Sequence, residues 1–163
     1  MTQGFYRRNL PHIEKFIAAH FVTFRTKNDL FLPPAARSIA LKHCLFENEK
    51  RASMHALVIM PNHVHLLFTP LENDRAEPFS LAEIMKGIKG SSAYNINKLL
   101  SRRGTLWQDE SFDRIMRAGE FDNKWNYIIA NPIDAGLSKR PGEYPWCWTQ
   151  PVTALLPLVR KDQ

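Results

Sequence analysis

The chain has 163 residues, of which 44% are hydrophobic and 23% are charged. These values are typical of a globular protein with a substantial core, and we expect residues 1–163 to form one domain. No apolar stretch approaches the ~20 residues of a membrane span, and the first residues lack the apolar core of a signal peptide, so we expect a cytoplasmic protein with no membrane partner. The 22 Lys and Arg against 16 Asp and Glu leave a formal charge of +6, which favours an anionic partner.

The first predicted elements are a strand and then a helix. Residues 15–26, KFIAAHFVTFRT, are rich in aromatic and β-branched residues and predict a strand, whereas residues 33–50 open with proline and predict a helix. Two more strands follow at 54–60 (MHALVIM) and 63–69 (HVHLLFT), and Pro61-Asn62 between them predicts a tight connection. These two strands should form an antiparallel hairpin in the middle of a sheet.

A long helix is predicted to begin after Ser80. Ser80 and Glu83 have the spacing of a capping box, and apolar residues follow at helical spacing until Gly104. Gly87 and Gly90 weaken this helical pattern.

The last regular elements are a fourth strand at 111–117 and a helix at 120–131, which should end before Pro132. The order β-α-β-β-α-β-α predicts an α+β fold of the ferredoxin-like split βαβ plan, an antiparallel sheet with helices on one face and an added C-terminal helix. The core should span about residues 5–132. The prolines that follow predict an irregular extension over about 133–163.

The strand after Pro61-Asn62 carries two histidines one residue apart. Side chains alternate along a strand, so His63 and His65 share one side while Val64, Leu66 and Phe68 point to the core. Two imidazoles at this spacing have Cβ atoms ~7 Å apart and can reach one divalent cation, although polar strand histidines without a metal are the more common case. A histidine-triad hydrolase would need a third histidine at position 67, and a two-histidine phosphoesterase a second His-x-Ser/Thr element. The sequence has neither.

The last predicted helix has a polar stripe beside its apolar face. The stripe consists of Glu120, Lys124, Tyr127 and Asn131. Asn131 follows Tyr127 by one turn, and its amide oxygen is a suitable hard ligand for Mg²⁺ or Mn²⁺. A tyrosine at the edge of a core, followed by an asparagine that caps the helix before proline, is the alternative interpretation.

Three segments in this order resemble the REP-associated tyrosine transposases, relatives of small insertion-sequence transposases of the His-hydrophobic-His, single-tyrosine class. They are MPNHVHLLFTP at 60–70, LWQDESFDRIMR at 106–117 and WNYIIANPIDAGL at 125–137. The resemblance runs from about residue 5 to about residue 148. It implies that His63 and His65 bind a metal and that Tyr127 is the nucleophile. Asn131 stands where relatives typically place a glutamine ligand, so it is the expected third ligand.

The resemblance implies a metal-dependent single-stranded DNA endonuclease and strand transferase that cuts hairpin-associated repetitive extragenic palindrome DNA through a 5′-phosphotyrosine. Trp107 could stack on an unpaired base, or it could be a core anchor. The residues expected to contact phosphates are Arg7, Arg8, Lys86, Lys89, Arg114 and Arg117. A non-catalytic DNA-binding module on the same fold is the alternative function, and the chain could be a monomer or a homodimer.

Overall fold

A computed structural model of the chain describes residues 17–151 in full and, before them, the backbone of two short strands. These strands are β1 (Tyr6–Asn9) and β2 (His12–Lys15), which pair as an antiparallel hairpin. The hairpin was not predicted, because two polar four-residue segments carry no clear alternation of apolar and polar residues. The part of the predicted extension after residue 151 lies outside the described residues.

Five antiparallel strands form the main sheet, in the order β6-β3-β5-β4-β7. Their bounds are β3 (His20–Arg25), β4 (Ala52–Ile59), β5 (His63–Pro70), β6 (Phe112–Ile115) and β7 (Cys147–Thr149). The predicted hairpin of β4 and β5 is confirmed, and β5 is the central strand. With three helices on this sheet, the predicted α+β class is confirmed.

The helices cover both faces of the sheet. They are α1 (Pro34–Phe46), α2 (Leu81–Leu99) and α3 (Glu120–Asp134). Helices α1 and α2 pack on one face over a core that includes Val64, Leu66 and Phe68, as the strand alternation predicted. The added helix α3 packs on the opposite face, where Ile128 lies buried with Leu67 in a smaller apolar cluster. Across the described part of the chain, no helix is long and apolar enough to span a membrane.

Strand β7 lies in a region that was predicted to be irregular. It pairs with β4 through three residues and forms the edge of the sheet. Tyr144, just before it, is buried, and its hydroxyl donates a hydrogen bond to the carbonyl oxygen of Ile59 at 2.7 Å. A three-residue strand is too short to show a period, so tertiary contacts decide its structure.

The prediction that the last helix ends before Pro132 was wrong. Helix α3 continues to Asp134 with Pro132 buried inside it. Proline lacks an N–H and removes one helical hydrogen bond, but the chain resumes bonding at once, since Ala135 N donates to Asn131 O at 3.0 Å. Because Pro132 lies in the last turn, the missing hydrogen bond lowers the stability of the helix only slightly, and burial of the proline ring offsets part of that loss.

Gly87 has a packing role that explains why α2 tolerates it. A Cβ atom at this position would lie 2.6 Å from Glu47 Oε1, closer than such atoms can approach. Glu47 is buried directly after α1. The missing side chain therefore leaves room for the buried carboxylate of Glu47 against α2.

The predicted capping box of α2 provides a test of this part of the fold. Glu83 N donates to Ser80 Oγ at 3.1 Å, and Ser80 N donates to Glu83 Oε2 at 2.9 Å. Ser80→Ala should lower the free energy of unfolding by about 1 kcal/mol in urea titrations, because the N-terminal amide loses its acceptor. Ser91→Ala, at an exposed position inside the same helix, is the control and should cost nothing. Equal losses in the two variants would contradict the capping assignment.

Candidate active site

The histidine pair lies at the start of the central strand, on the face that α3 partly covers. In the β3–β5 register, His65 is opposite Thr23 and His63 is opposite Arg25. The two imidazole rings are near neighbours, with centroids 4.8 Å apart and planes inclined by 75°. His65 is only 5% exposed, whereas His63 is half-buried.

The Nδ1 atom of each ring lies within hydrogen-bond distance of a neighbouring side chain. His63 Nδ1 lies 2.7 Å from Asn62 Oδ1, which can only accept, so Nδ1 carries the proton and Nε2 keeps its lone pair. His65 Nδ1 lies 2.7 Å from Thr23 Oγ1. The buried Nε2 of His65 has no hydrogen-bond partner within the described residues. An unpaired buried polar atom is costly, so this nitrogen indicates a site for a ligand.

The electrostatics of the site keep both rings neutral. Burial lowers the pKa of His63 to about 4, helped by the positive charge of Arg25. Burial likewise lowers the pKa of His65 to about 3, with smaller effects from His63, Arg25 and Lys124. Neutral imidazoles at physiological pH present lone pairs, which is the form that binds a metal.

Helix α3 brings Tyr127 and Asn131 to the same place. Tyr127 is 44% exposed, and its ring meets the His65 ring edge-on at a centroid distance of 5.2 Å. One turn later, Asn131 lies close enough to His63 to act on its pKa as a hydrogen-bonding neighbour. The structure thus brings together His63, His65, Tyr127 and Asn131, which lie on two elements that are far apart in the sequence.

Two basic residues at the site were given no role by the sequence. Arg25 ends β3 opposite His63, and Lys124 Nζ lies 4.7 Å from the Phe21 ring centroid and 5.5 Å from that of Tyr127. Lys124 was on the predicted polar stripe, so its position relative to Tyr127 was foreseeable. Arg25 could be found only from the strand register, which the sequence does not fix.

Two residues predicted to contact DNA are engaged inside the protein. Trp107 is 3% exposed, its indole N–H donates to Ser92 Oγ at 3.0 Å, and its ring packs edge-on against Phe24. A buried ring cannot stack on a base, so the prediction that Trp107 stacks on a base was wrong. Trp107 is instead a core anchor, the alternative that the sequence left open. Lys89 Nζ donates to Gln108 O at 2.6 Å and lies near two more acceptors. Its donors are therefore already satisfied, contrary to the predicted phosphate contact.

The other predicted phosphate-binding residues are divided between the two faces. Arg114 lies opposite Phe21 on the face of the histidines, where Nη2 donates to Glu120 Oε1 at 2.7 Å. Arg117 is exposed nearby, just before α3. Lys86 is exposed on α2 and hence on the opposite face. The side chains of Arg7 and Arg8 lie outside the described residues.

Comparison with known families places the chain among transposases. Residues 17–131 match the family model described as "Transposase IS200 like", and the chain belongs to this family. A protein of Haemophilus influenzae described as "Putative REP-associated tyrosine transposase" is 26% identical over 97 residues, which cover 56% of this chain and 55% of that protein. The chain thus matches about half the length of this curated relative.

A solved structure gives the same fold. It is that of a REP-associated tyrosine transposase bound to a REP hairpin, with a TM-score of 0.63 and 19% sequence identity. The match covers 88% of this chain and 81% of that one. At this identity the likeness shows a shared fold and no more.

The position of Trp107 can be tested by replacement with another aromatic residue. Trp107→Phe should lower the free energy of unfolding by about 2 kcal/mol, because Ser92 loses its buried donor and the smaller ring leaves space. Affinity for single-stranded DNA, measured by fluorescence anisotropy, should not change. A loss of affinity at unchanged stability would restore the stacking role.

Proposed function

We propose that this chain is a metal-dependent single-stranded DNA endonuclease and strand transferase, with Tyr127 as nucleophile. The observation that carries the proposal is the contact of Tyr127 with His65, whose buried Nε2 is unpartnered within the described residues. The relative solved with a REP hairpin supports hairpin-associated repetitive extragenic palindrome DNA as substrate. A formal charge of +6 suits such a partner.

The residues of the site fit Mg²⁺ or Mn²⁺. His63 and His65 are neutral, and their Nδ1 atoms are hydrogen-bonded to Asn62 and Thr23. Metal-binding histidines usually have such a partner on the nitrogen that does not bind the metal. Asn131 offers an amide oxygen, the hard donor that these ions prefer. Among the described residues, no three His, Cys, Asp or Glu side chains gather as a metal site, so oxygen from DNA or water would complete the ligand set. When bound, such an ion neutralises charge on the scissile phosphate.

The chemical step assigned to this chain is a transesterification. Tyr127 Oη gives up its proton and attacks the phosphorus, the new Oη–P bond forms, and the P–O3′ bond breaks as O3′ takes up a proton and leaves as a 3′ hydroxyl. The 5′ phosphate remains on the tyrosine. Since one phosphodiester replaces another, attack by a 3′ hydroxyl reverses the step and joins strands.

Arg25 and Lys124 are proposed to hold the scissile phosphate. Both are close enough to act on the pKa of His65, and Lys124 lies beside the ring of Tyr127. Their positive charges would attract the phosphate and stabilise the charge that develops as the phenol is deprotonated. Arg114, Arg117 and Lys86, with Arg7 and Arg8, remain candidates for contacts to the rest of the DNA.

The nucleophile assignment predicts a covalent adduct. Incubation with a single-stranded DNA hairpin and Mn²⁺ should give a complex that survives denaturation, and Tyr127→Phe should abolish it because phenylalanine has no hydroxyl to attack. Tyr94→Phe is the matched control, since Tyr94 is 70% exposed on α2 and far from the histidines. It should form the adduct at the wild-type rate.

Two outcomes of the adduct experiment would overturn the proposal. An adduct that persists in Tyr127→Phe would move the nucleophile elsewhere. DNA binding without an adduct, with any divalent metal, would favour the binding-module alternative.

Metal binding can be measured without DNA. Electron paramagnetic resonance titration should show Mn²⁺ binding to the wild-type protein, and His65→Ala should weaken it at least about tenfold through loss of one ligand. His43→Ala, on α1 of the other face, is the control and should bind like the wild type. Unchanged Mn²⁺ affinity in His65→Ala would show that the pair is not the metal site.

A further inference from the structure

The sheet carries an exposed aromatic side chain two strands away from His65. In the register of β3, Thr23 pairs with His65 on one side and with Phe112 on the other. Directly paired residues in antiparallel strands share a face, so Phe112, Thr23 and His65 form a row across the sheet. Phe112 is 58% exposed on the edge strand β6. The ring of Phe112 is therefore open to a ligand that binds beside the candidate active site.

An open cleft of about 360 Å³ lies at the β6 end of this row, and it is lined by Thr23, Phe24, Arg25, Gln108, Glu110, Ser111 and Phe112. Its volume falls in the range of small-ligand sites. One wall carries Thr23, whose hydroxyl lies 2.7 Å from His65 Nδ1, and Arg25, which is paired with His63. The cleft therefore shares Arg25 with the proposed phosphate site.

The cleft presents acceptors on Gln108 and Glu110, whereas Arg25 and the hydroxyls of Thr23 and Ser111 supply donors on its other side. Gln108 Nε2 donates to Thr26 O at 3.2 Å, which leaves its Oε1 as an acceptor. The exposed carboxylate of Glu110 accepts only. These acceptors suit an exocyclic amino group, which offers two N–H donors, whereas thymine offers one N3–H between two carbonyl oxygens that the acceptors repel. An exposed phenyl ring together with base-edge acceptors is the usual means of recognising an unpaired base.

We propose that this cleft binds one unpaired DNA base next to the phosphate that Tyr127 attacks. Phe112 stacks on the base, while Glu110 and Gln108 accept hydrogen bonds from its exocyclic amino group. The cleft thus selects cytosine, adenine or guanine over thymine at this position. The inference rests on the proposed function, because that function places the phosphate beside His63 and His65.

Binding experiments in the Tyr127→Phe background test the stacking role without cleavage. The probes are fluorescein-labelled oligo(dC), oligo(dT) and an abasic strand of the same length, measured by anisotropy. Phe112→Ala should weaken oligo(dC) binding about tenfold, leave the abasic strand unaffected, and be rescued by Phe112→Trp. Phe46→Ala is the control, because Phe46 is 60% exposed at the end of α1 on the other face; it should bind like the parent protein.

A second variant tests the preference of the cleft for cytosine over thymine. The parent protein should prefer oligo(dC) to oligo(dT), and Glu110→Gln should reduce this preference because the amide can turn a donor toward a carbonyl. Phosphate contacts are the same in both probes, so the ratio of the two affinities isolates the base.

Three results would overturn the inference. Phe112→Ala could bind oligo(dC) like the parent, or it could weaken the abasic strand equally, which would mean that no base is stacked. It could also change the sedimentation of the protein and leave DNA affinity intact, which would assign Phe112 to an interface between copies of the chain. If the Tyr127-dependent adduct still forms in these cases, only the base site fails and the proposed function stands.

Discussion

The pairing of β3 with β5 is the constraint on which the site depends. Thr23 binds His65 Nδ1 across this pair, and Arg25 is placed opposite His63 by the same register. A slip of one residue would turn both imidazoles to the α1–α2 face. The apolar side chains of Val64, Leu66 and Phe68 prevent the slip, because it would move them out of the larger core. The core thus fixes the direction in which the histidines point.

The two faces of the sheet have different roles. The face under α1 and α2 holds the larger apolar cluster, and there Trp107 and Lys89 are engaged with protein partners. The other face is only partly covered, since α3 rests on a smaller cluster around Ile128. This incomplete cover leaves Tyr127 partly exposed beside a buried imidazole. The nucleophile proposed above needs such a position, where packing fixes it and a strand of DNA can still reach it.

Much of the fold could be predicted from local sequence signals. The hairpin of β4 and β5, the capping box at Ser80 and the alternation around His63 all follow from patterns with a strong period or a specific turn. Strand β7 and the continuation of α3 through Pro132 could not be predicted, because tertiary contacts override weak or contrary local preferences there. That residues 1–163 form a single domain stays a prediction.

The same distinction holds for the site. Its histidines and Tyr127 were identified from spacing and from family resemblance, and the structure brings them together. Arg25, Thr23 and Phe112 join them only through strand register, which no short motif encodes. Trp107 was predicted to contact DNA, but it is buried in the core. An aromatic residue next to polar residues can be buried or exposed, and the local sequence does not decide which.

The proposed chemistry requires that two imidazoles and one phenol meet at a common phosphate. A crystal structure of the Tyr127→Phe protein with single-stranded DNA and Mn²⁺, with manganese located by anomalous scattering, tests this most directly. We expect manganese bound to the Nε2 atoms of His63 and His65, with a DNA phosphate between the metal and the ring of residue 127. Manganese bound away from the histidines, or a phosphate on the far side of α3, would contradict the proposed site.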